Sequence, residues 1–232
     1  MVHVVVVGAG QAGSSCVAKL RNLGFEGAIT LIGAEPTPPY QRPPLSKGYL
    51  LSEITLERMY LRPKSFYSGN AIDLTLGKKV SAVNSSTKTI SVGNHDLDYD
   101  NLVLTTGSMP RRLPVAIGGD LDGVYTVRAL DDVDAMEPEF ADGKRVLIIG
   151  GGYIGLEAAA VAAKRGVRVT LIEMADRILQ RVAAPETSNF FRALHTAHGV
   201  EILEGVGLER LTGDGRVGGA VLSNGTVLKV DF

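Results

Sequence analysis

The chain has 232 residues, 45% of them hydrophobic and 21% charged, with 24 basic against 25 acidic side chains and a net charge of −1. That balance lacks the basic surplus of a nucleic-acid binder, and the single cysteine, Cys16, excludes an intramolecular disulfide, a dithiol redox centre and any multi-cysteine metal site. The amino-terminal apolar run, Val4 to Val7, is too short to span a bilayer or to serve as a secretory signal, so the composition reads as a cytoplasmic α/β protein of one large or two ordinary domains.

In chain order, Val4–Val7 predicts a buried parallel strand. The turn Gly8-Ala9-Gly10-Gln11-Ala12-Gly13 follows, and then a helix with its stripe at Ala12, Cys16, Leu20 and Leu23. Gly24 sits where a helix stop is expected, and Ala28–Ile32 is a second strand. Glu35–Lys47 carries Pro36, Pro38, Pro39, Pro43 and Pro44 and is neither helix nor central strand. Thr75–Val83 and Thr87–Val92 read as paired strands joined through Asn84-Ser85-Ser86, and Tyr99–Thr105 as a strand closed by Thr106-Gly107. Pro110 and Pro114 mark the crossing into a second unit. There the opening pattern repeats: Val146–Ile149, the turn Gly150-Gly151-Gly152-Tyr153-Ile154-Gly155, a helix with Ile154, Ala158 and Val161 on its stripe, a stop at Gly166, and a strand over Val167–Ile172. Glu186–His198 predicts a helix, and the chain ends in hairpin strands around Asn224-Gly225. The repeat gives the fold class: α/β, with two Rossmann-like βαβ nucleotide-binding units.

Each GxGxxG follows a strand and opens a helix, the context the motif requires. The first glycine permits the tight turn, the second lets backbone approach a pyrophosphate, and the third allows close helix–strand packing; the helix N-terminus adds free N–H groups and positive dipole. Glu173 ends the second strand of the later repeat, placed to accept from both ribose hydroxyls and to repel a 2′-phosphate, which favours NAD over NADP. The equivalent position in the first repeat is Gly33, and the nearest acid is Glu35. Tyr153 and Glu157, four residues apart at a helix start, share one face near the turn; the competing readings are a core aromatic and an acid that answers the helix dipole. His195 and His198 read as a solvated helix face, Arg111-Arg112 as ordinary surface, and Cys16 as a packing residue. No metal site is expected.

Val7-Gly8-x-Gly10-x-Ala12-Gly13, Pro39-Tyr40-Gln41-Arg42-Pro43-Pro44-Leu45-Ser46-Lys47, Leu102-Val103-Leu104-Thr105-Thr106-Gly107, Pro110-Arg111-Arg112-Leu113-Pro114 and Ile148-Ile149-Gly150-Gly151-Gly152-Tyr153-Ile154-Gly155-Leu156-Glu157 together resemble the FAD-dependent NADH:ferredoxin reductases of bacterial oxygenase systems. The resemblance covers essentially the whole chain. It implies an FAD-binding domain begun by residues 1–110, with an NAD-binding domain over 111–232 inserted in it. It assigns FAD contacts to Gly8, Gly10, Gln11, Ala12, Gly13, Glu35, Arg42, Lys47, Val80, Thr106, Gly107 and Arg128. Contacts to NAD(H) fall to Gly150, Gly152, Tyr153, Ile154, Gly155 and Glu173. Where many relatives carry an acid this chain has Ala34, which leaves Glu35 as the ribose ligand. The cysteine pair of the disulfide reductases is absent, and Lys47 stands near where the peroxide-reducing relatives keep a cysteine. In the catalytic roles the resemblance implies, Tyr153 stacks over the isoalloxazine and yields to nicotinamide. Glu157 holds the carboxamide and pairs with Lys47 near flavin N5, so the two should lie within roughly 4 Å of each other. Hydride then passes from NADH to flavin, and single electrons pass to a 2Fe–2S ferredoxin. The family's later return to the FAD domain and its carboxy-terminal domain have no counterpart before Phe232, so the alternative expectation is a non-catalytic nucleotide-binding fragment.

Overall fold

A computed structural model describes residues 1–232. The chain forms two compact units: Met1–Arg42 with Thr55–Met109, and Pro43–Ile54 with Pro110–Phe232.

In the first unit, β1 (His3–Val7), α1 (Gln11–Asn22) and β2 (Ala28–Ile32) make the opening βαβ start. The short helices α2 (Leu56–Met59) and α3 (Lys64–Gly69) lead to β3 (Ile72–Thr75). Strands β4 (Val80–Asn84), β5 (Thr89–Val92) and β6 (His95–Asp98) precede β7 (Asn101–Leu104). The parallel sheet has the order β3-β2-β1-β7, and β4-β5-β6 forms a separate antiparallel sheet. Side chains of a strand alternate between faces, and the four-valine run is explained by what lies on each. Val4 and Val6 pack with Val17, Ile29, Leu31, Tyr67 and Ile72. Val5 and Val7 pack with Ile32, Ile90 and Val92 of the other face. A strand buried on both sides has no place for the polar alternation of a half-exposed one.

The second unit repeats the plan. After α4 (Leu130–Met136), β8 (Arg145–Ile149), α5 (Tyr153–Lys164) and β9 (Arg168–Glu173) form its βαβ start, followed by α6 (Pro185–Ala197) and β10 (Glu201–Glu204). The antiparallel strands β11 (Leu208–Asp214), β12 (Arg216–Leu222) and β13 (Val227–Lys229) close the chain. The parallel sheet runs β10-β9-β8. Leu147 and Ile172 of that sheet pack against Leu211, Val217, Ala220 and Leu222 of the antiparallel one. Gly24 and Gly166 end the paired helices at φ +80° and +79°, the left-handed position that closes a helix with two reversed hydrogen bonds: Phe25 N–H to Leu20 O and Gly24 N–H to Arg21 O, and likewise Val167 to Ala162 and Gly166 to Ala163.

Four expectations need correction. The buried stripe of α1 is Gly13, Ser14, Val17 and Ala18; Cys16 and Leu20 sit at the margin of the core, and Leu23 is 71% exposed because it lies past the last helical turn. In α5 the buried residues are Leu156, Ala159, Val161 and Ala162, while Ile154 is exposed in the first turn. Small residues decide both: alanine and glycine let the helix approach the sheet on a line displaced from the bulkier side chains. Thr75–Val83 is two strands, since Gly77 at φ +66° turns the chain between β3 of the parallel sheet and β4 of the antiparallel one. His195 is buried, not solvated, and its ring packs beside Phe191. The proline-rich stretch is divided: its residues up to Arg42 belong to the first compact unit, and Pro43–Ile54 belongs to the second.

An ionic network ties the second unit together. Glu139 is paired with Lys144 and Arg216 and accepts from the Tyr125 hydroxyl. Asp231 is paired with Arg145 at 2.8 Å and accepts its backbone N–H. Arg145 holds the Asp231 carboxyl down from its ordinary 3.8 to about 2. Burial pushes Glu139 up, but the hydrogen bonds from Lys144 and Arg216 outweigh it and leave that carboxyl lowered. Lowered carboxyls contribute stability above the unfolded-state value and lose it as pH falls through the folded one. Denaturant midpoints are therefore expected to drop on acidification from about pH 4 toward pH 2, with a shallower drop in Asp231→Asn. Identical pH slopes in the two proteins would contradict the assignment.

Candidate functional site

The two glycine turns share their backbone conformation, although a side chain on Gly8 would strike the Thr105 carbonyl where Gly150 has open space. Gly8 follows β1 at φ +113°, and Gly150 follows β8 at φ +109°. Their N–H groups donate to the last residue of the next strand inward or its equivalent: Gly8 to Ile32 O at 2.8 Å and Gly150 to Ile172 O at 2.9 Å. A side chain on Gly13 would run into the Gly8 carbonyl, and one on Gly155 into the Gly150 carbonyl. The middle glycines differ in kind, because the space in front of Gly10 and Gly152 is open. Each is the N-cap of its helix, and neither α1 nor α5 has a side-chain cap or an acidic residue in its first turn. The first N–H groups of each helix thus face an open cradle with no carboxylate to fill it, which fits a phosphate carrying negative charge. Gln11 and Ala12 lie exposed at the start of α1, and Tyr153 and Ile154 at the start of α5.

The acidic partners are built differently in the two units. At the end of β9, Glu173 accepts the Gly151 N–H with one carboxylate oxygen and the Ala175 N–H with the other, both at 2.8 Å. It therefore stands directly behind the glycine turn. The first unit cannot copy this, since a side chain at Gly33 would strike Ala9 and Leu76. Its carboxylate comes from Glu35, which pairs with Arg42 and accepts from the Tyr40 hydroxyl, while the Arg42 guanidinium lies 5.1 Å from the centre of the Tyr40 ring. Comparison with other sequences decides what the paired glycine cradles belong to: residues 2–232 match the family described as pyridine nucleotide-disulphide oxidoreductase.

The chain belongs to that family. Among curated relatives it is 43% identical over 230 residues to the ferredoxin reductase subunit of 5,5′-dehydrodivanillate O-demethylase from Sphingobium sp. (strain NBRC 103272 / SYK-6), covering 98% of this chain and 56% of that protein. It is 40% identical over 236 residues to putidaredoxin reductase from Pseudomonas putida, covering 99% of this chain and 56% of the relative. The structure matches that of putidaredoxin reductase in its covalent complex with putidaredoxin at a TM-score of 0.95, with 39% identity over 99% of this chain and 56% of the other. The chain spans about half the length of the curated relatives it matches.

In this family frame the remaining residues fall as follows. Lys47 and Glu157 form an ion pair at 2.8 Å, and both belong to the second unit. Tyr153 is 56% exposed, which removes the core-aromatic reading. Tyr153 and Glu157 line an apolar groove of about 650 Å³ together with Leu156, Ala160, Leu179 and His195. Val80 opens β4 and is half-buried, and Thr106 and Gly107 are exposed just after β7. Arg128 lies in the second unit at the entry to α4, where its N–H and that of Ala129 donate to Asp132. Sequence reasoning passed over Tyr40, which holds Glu35, and Ser46, whose hydroxyl donates to Glu157 at 2.6 Å. Their place beside Arg42 and Lys47 in one proline-set segment was the available signal. No group of three metal-ligating side chains occurs, and no helix is long and apolar enough to cross a membrane.

Proposed function

We propose that the protein is the nucleotide-binding part of a flavoprotein ferredoxin reductase, with FAD on the Gly8–Gly13 cradle and NADH on the Gly150–Gly155 cradle. The observation that carries this reading is the duplicated turn, open at Gly10 and at Gly152, with Glu173 hydrogen-bonded directly behind the second copy. When bound, FAD supplies the conversion of a two-electron hydride into the single electrons a 2Fe–2S ferredoxin accepts. The chain's residues bind and orient. Gly10, Gln11, Ala12 and Gly13 present backbone N–H groups to the FAD pyrophosphate, and Gly150, Gly152, Ile154 and Gly155 do so for NADH. Glu35 and Glu173 accept from the respective ribose hydroxyls, with Arg42, Val80, Thr106, Gly107 and Arg128 as further FAD contacts. Tyr153, exposed at the start of α5, would stand over the flavin ring. Glu157 holds the carboxamide, and Lys47 supplies the adjacent positive charge. The partner is a small ferredoxin, a reading supported by the ferredoxin reductases among the relatives. The direct test adds FAD to the purified protein, removes the excess and asks whether NADH bleaches the retained yellow colour. Bleaching supports the reading; a protein that binds NADH but stays colourless overturns its flavin half.

Coenzyme choice follows from Glu173. A carboxylate beside the ribose repels a 2′-phosphate, so NADH is expected to bind about tenfold or more tightly than NADPH. Glu173→Ala should narrow that gap. It should also loosen the turn, because the Gly151 and Ala175 N–H groups lose their acceptor. Calorimetric titrations with both coenzymes check this, and a preference for NADPH in the parent protein would overturn it.

A further inference from the structure

Ser46 is 5% exposed and donates its hydroxyl to Glu157 Oε2 at 2.6 Å. Lys47 reaches the same oxygen at 2.8 Å. Both donors converge on Oε2, and Oε1 accepts no hydrogen bond from the chain. The two donors are unequal. Lys47 is half-exposed, on a long side chain that also donates to the Pro43 carbonyl at 3.2 Å. Ser46 has one rotatable bond and sits in the turn Pro43–Ser46, whose two prolines preset the backbone and whose neighbours Leu45 and Leu50 are fully buried. Holding a serine there costs little conformational entropy, whereas holding a lysine costs much more.

We infer that Ser46 is the positioning residue for Glu157: it pins Oε2 so that Oε1 stays free and aimed as the acceptor for a nicotinamide carboxamide, and it keeps doing so whenever Lys47 swings away. The inference rests on the reading of Glu157 as the group that meets nicotinamide. A charge-assisted hydrogen bond fixed in advance spares the ligand the work of orienting the carboxylate. Glu157 stands on α5, but its orientation is set from a segment more than a hundred residues away in sequence.

The test is a set of calorimetric titrations of the purified protein with NADH and with ADP-ribose, which lacks the nicotinamide. Ser46→Ala should weaken NADH about tenfold, the loss expected for one hydrogen bond to a charged group, and leave ADP-ribose unchanged. Ser46→Cys keeps the shape of the side chain in a slightly larger group that donates poorly, and should match Ala. Glu157→Gln should weaken NADH alone, and adding Ser46→Ala to it should cause no further loss, since the serine acts only through the carboxylate. Equal weakening of ADP-ribose would assign Ser46 to the fold instead and overturn the proposal. So would parent-like NADH affinity in both Ser46 variants while Glu157→Gln is weakened. If Glu157→Gln itself binds NADH like the parent, the reading of Glu157 fails, and the role of Ser46 fails with it.

Discussion

Glu157→Gln is expected to slow reduction of the FAD-loaded protein by NADH about tenfold to a hundredfold while FAD stays bound. Glu157 is the acid that balances Lys47, at 2.8 Å and about one-third exposed, so its charge is only partly screened by water. Removing that charge without changing shape leaves Lys47 uncompensated and gives the carboxamide a weaker acceptor. An interaction felt in the reacting complex appears in the rate of reduction rather than in cofactor retention. Lys47→Ala should differ by lowering both, because the proposed function places its ammonium at the flavin as well. Rapid-mixing absorbance at the flavin band separates the two variants. A Glu157→Gln protein reduced at the parent rate would remove Glu157 from the reacting site.

Much of this was legible in the residues, and the reasons are physical. A run of four valines bounded by glycine has few alternatives to a strand buried on both faces, and β1 packs on both. The repeated spacing of Gly8, Gly10, Gly13 and Gly24 against Gly150, Gly152, Gly155 and Gly166 works because positive φ, open space and close approach fall at matching places. Helix faces were harder to read. In α1 and α5 the residues nearest the sheet are small, so hydrophobicity points to Leu23 and Ile154, which are exposed, and misses Ala18 and Ala159. The pairing of Lys47 with Glu157 came from family resemblance. Spacing alone could not supply it, since nothing local in Pro43–Ile54 says which unit it packs with. Ser46 and Tyr40 went unassigned because their roles consist of the carboxylates they hold, and serine and tyrosine carry no pattern of their own.

Substituting alanine at neighbouring glycines should separate folding from binding. Gly13 and Gly155 each face a backbone carbonyl that a methyl group would displace. Gly13→Ala and Gly155→Ala are therefore expected to cost about 3 kcal/mol or more of stability in their own units, as overpacking against unyielding backbone does. Gly10 and Gly152 have nothing in front of them and ordinary extended backbone, with φ −95° and −82°. Alanine at either should cost no more than about 1 kcal/mol, the loss of a glycine N-cap. The same methyl group projects into the cradle in front of the helix N-terminus, where a pyrophosphate must touch backbone. Gly10→Ala should then weaken FAD and Gly152→Ala should weaken NADH, each about tenfold or more and each without effect on the other coenzyme. Denaturant unfolding reads the first arm and titration the second. Parent-like affinities in well-folded Gly10→Ala and Gly152→Ala proteins would mean that the open cradles are not where the pyrophosphates lie. Marked unfolding of those two variants would mean that the space in front of the glycines is not open in solution.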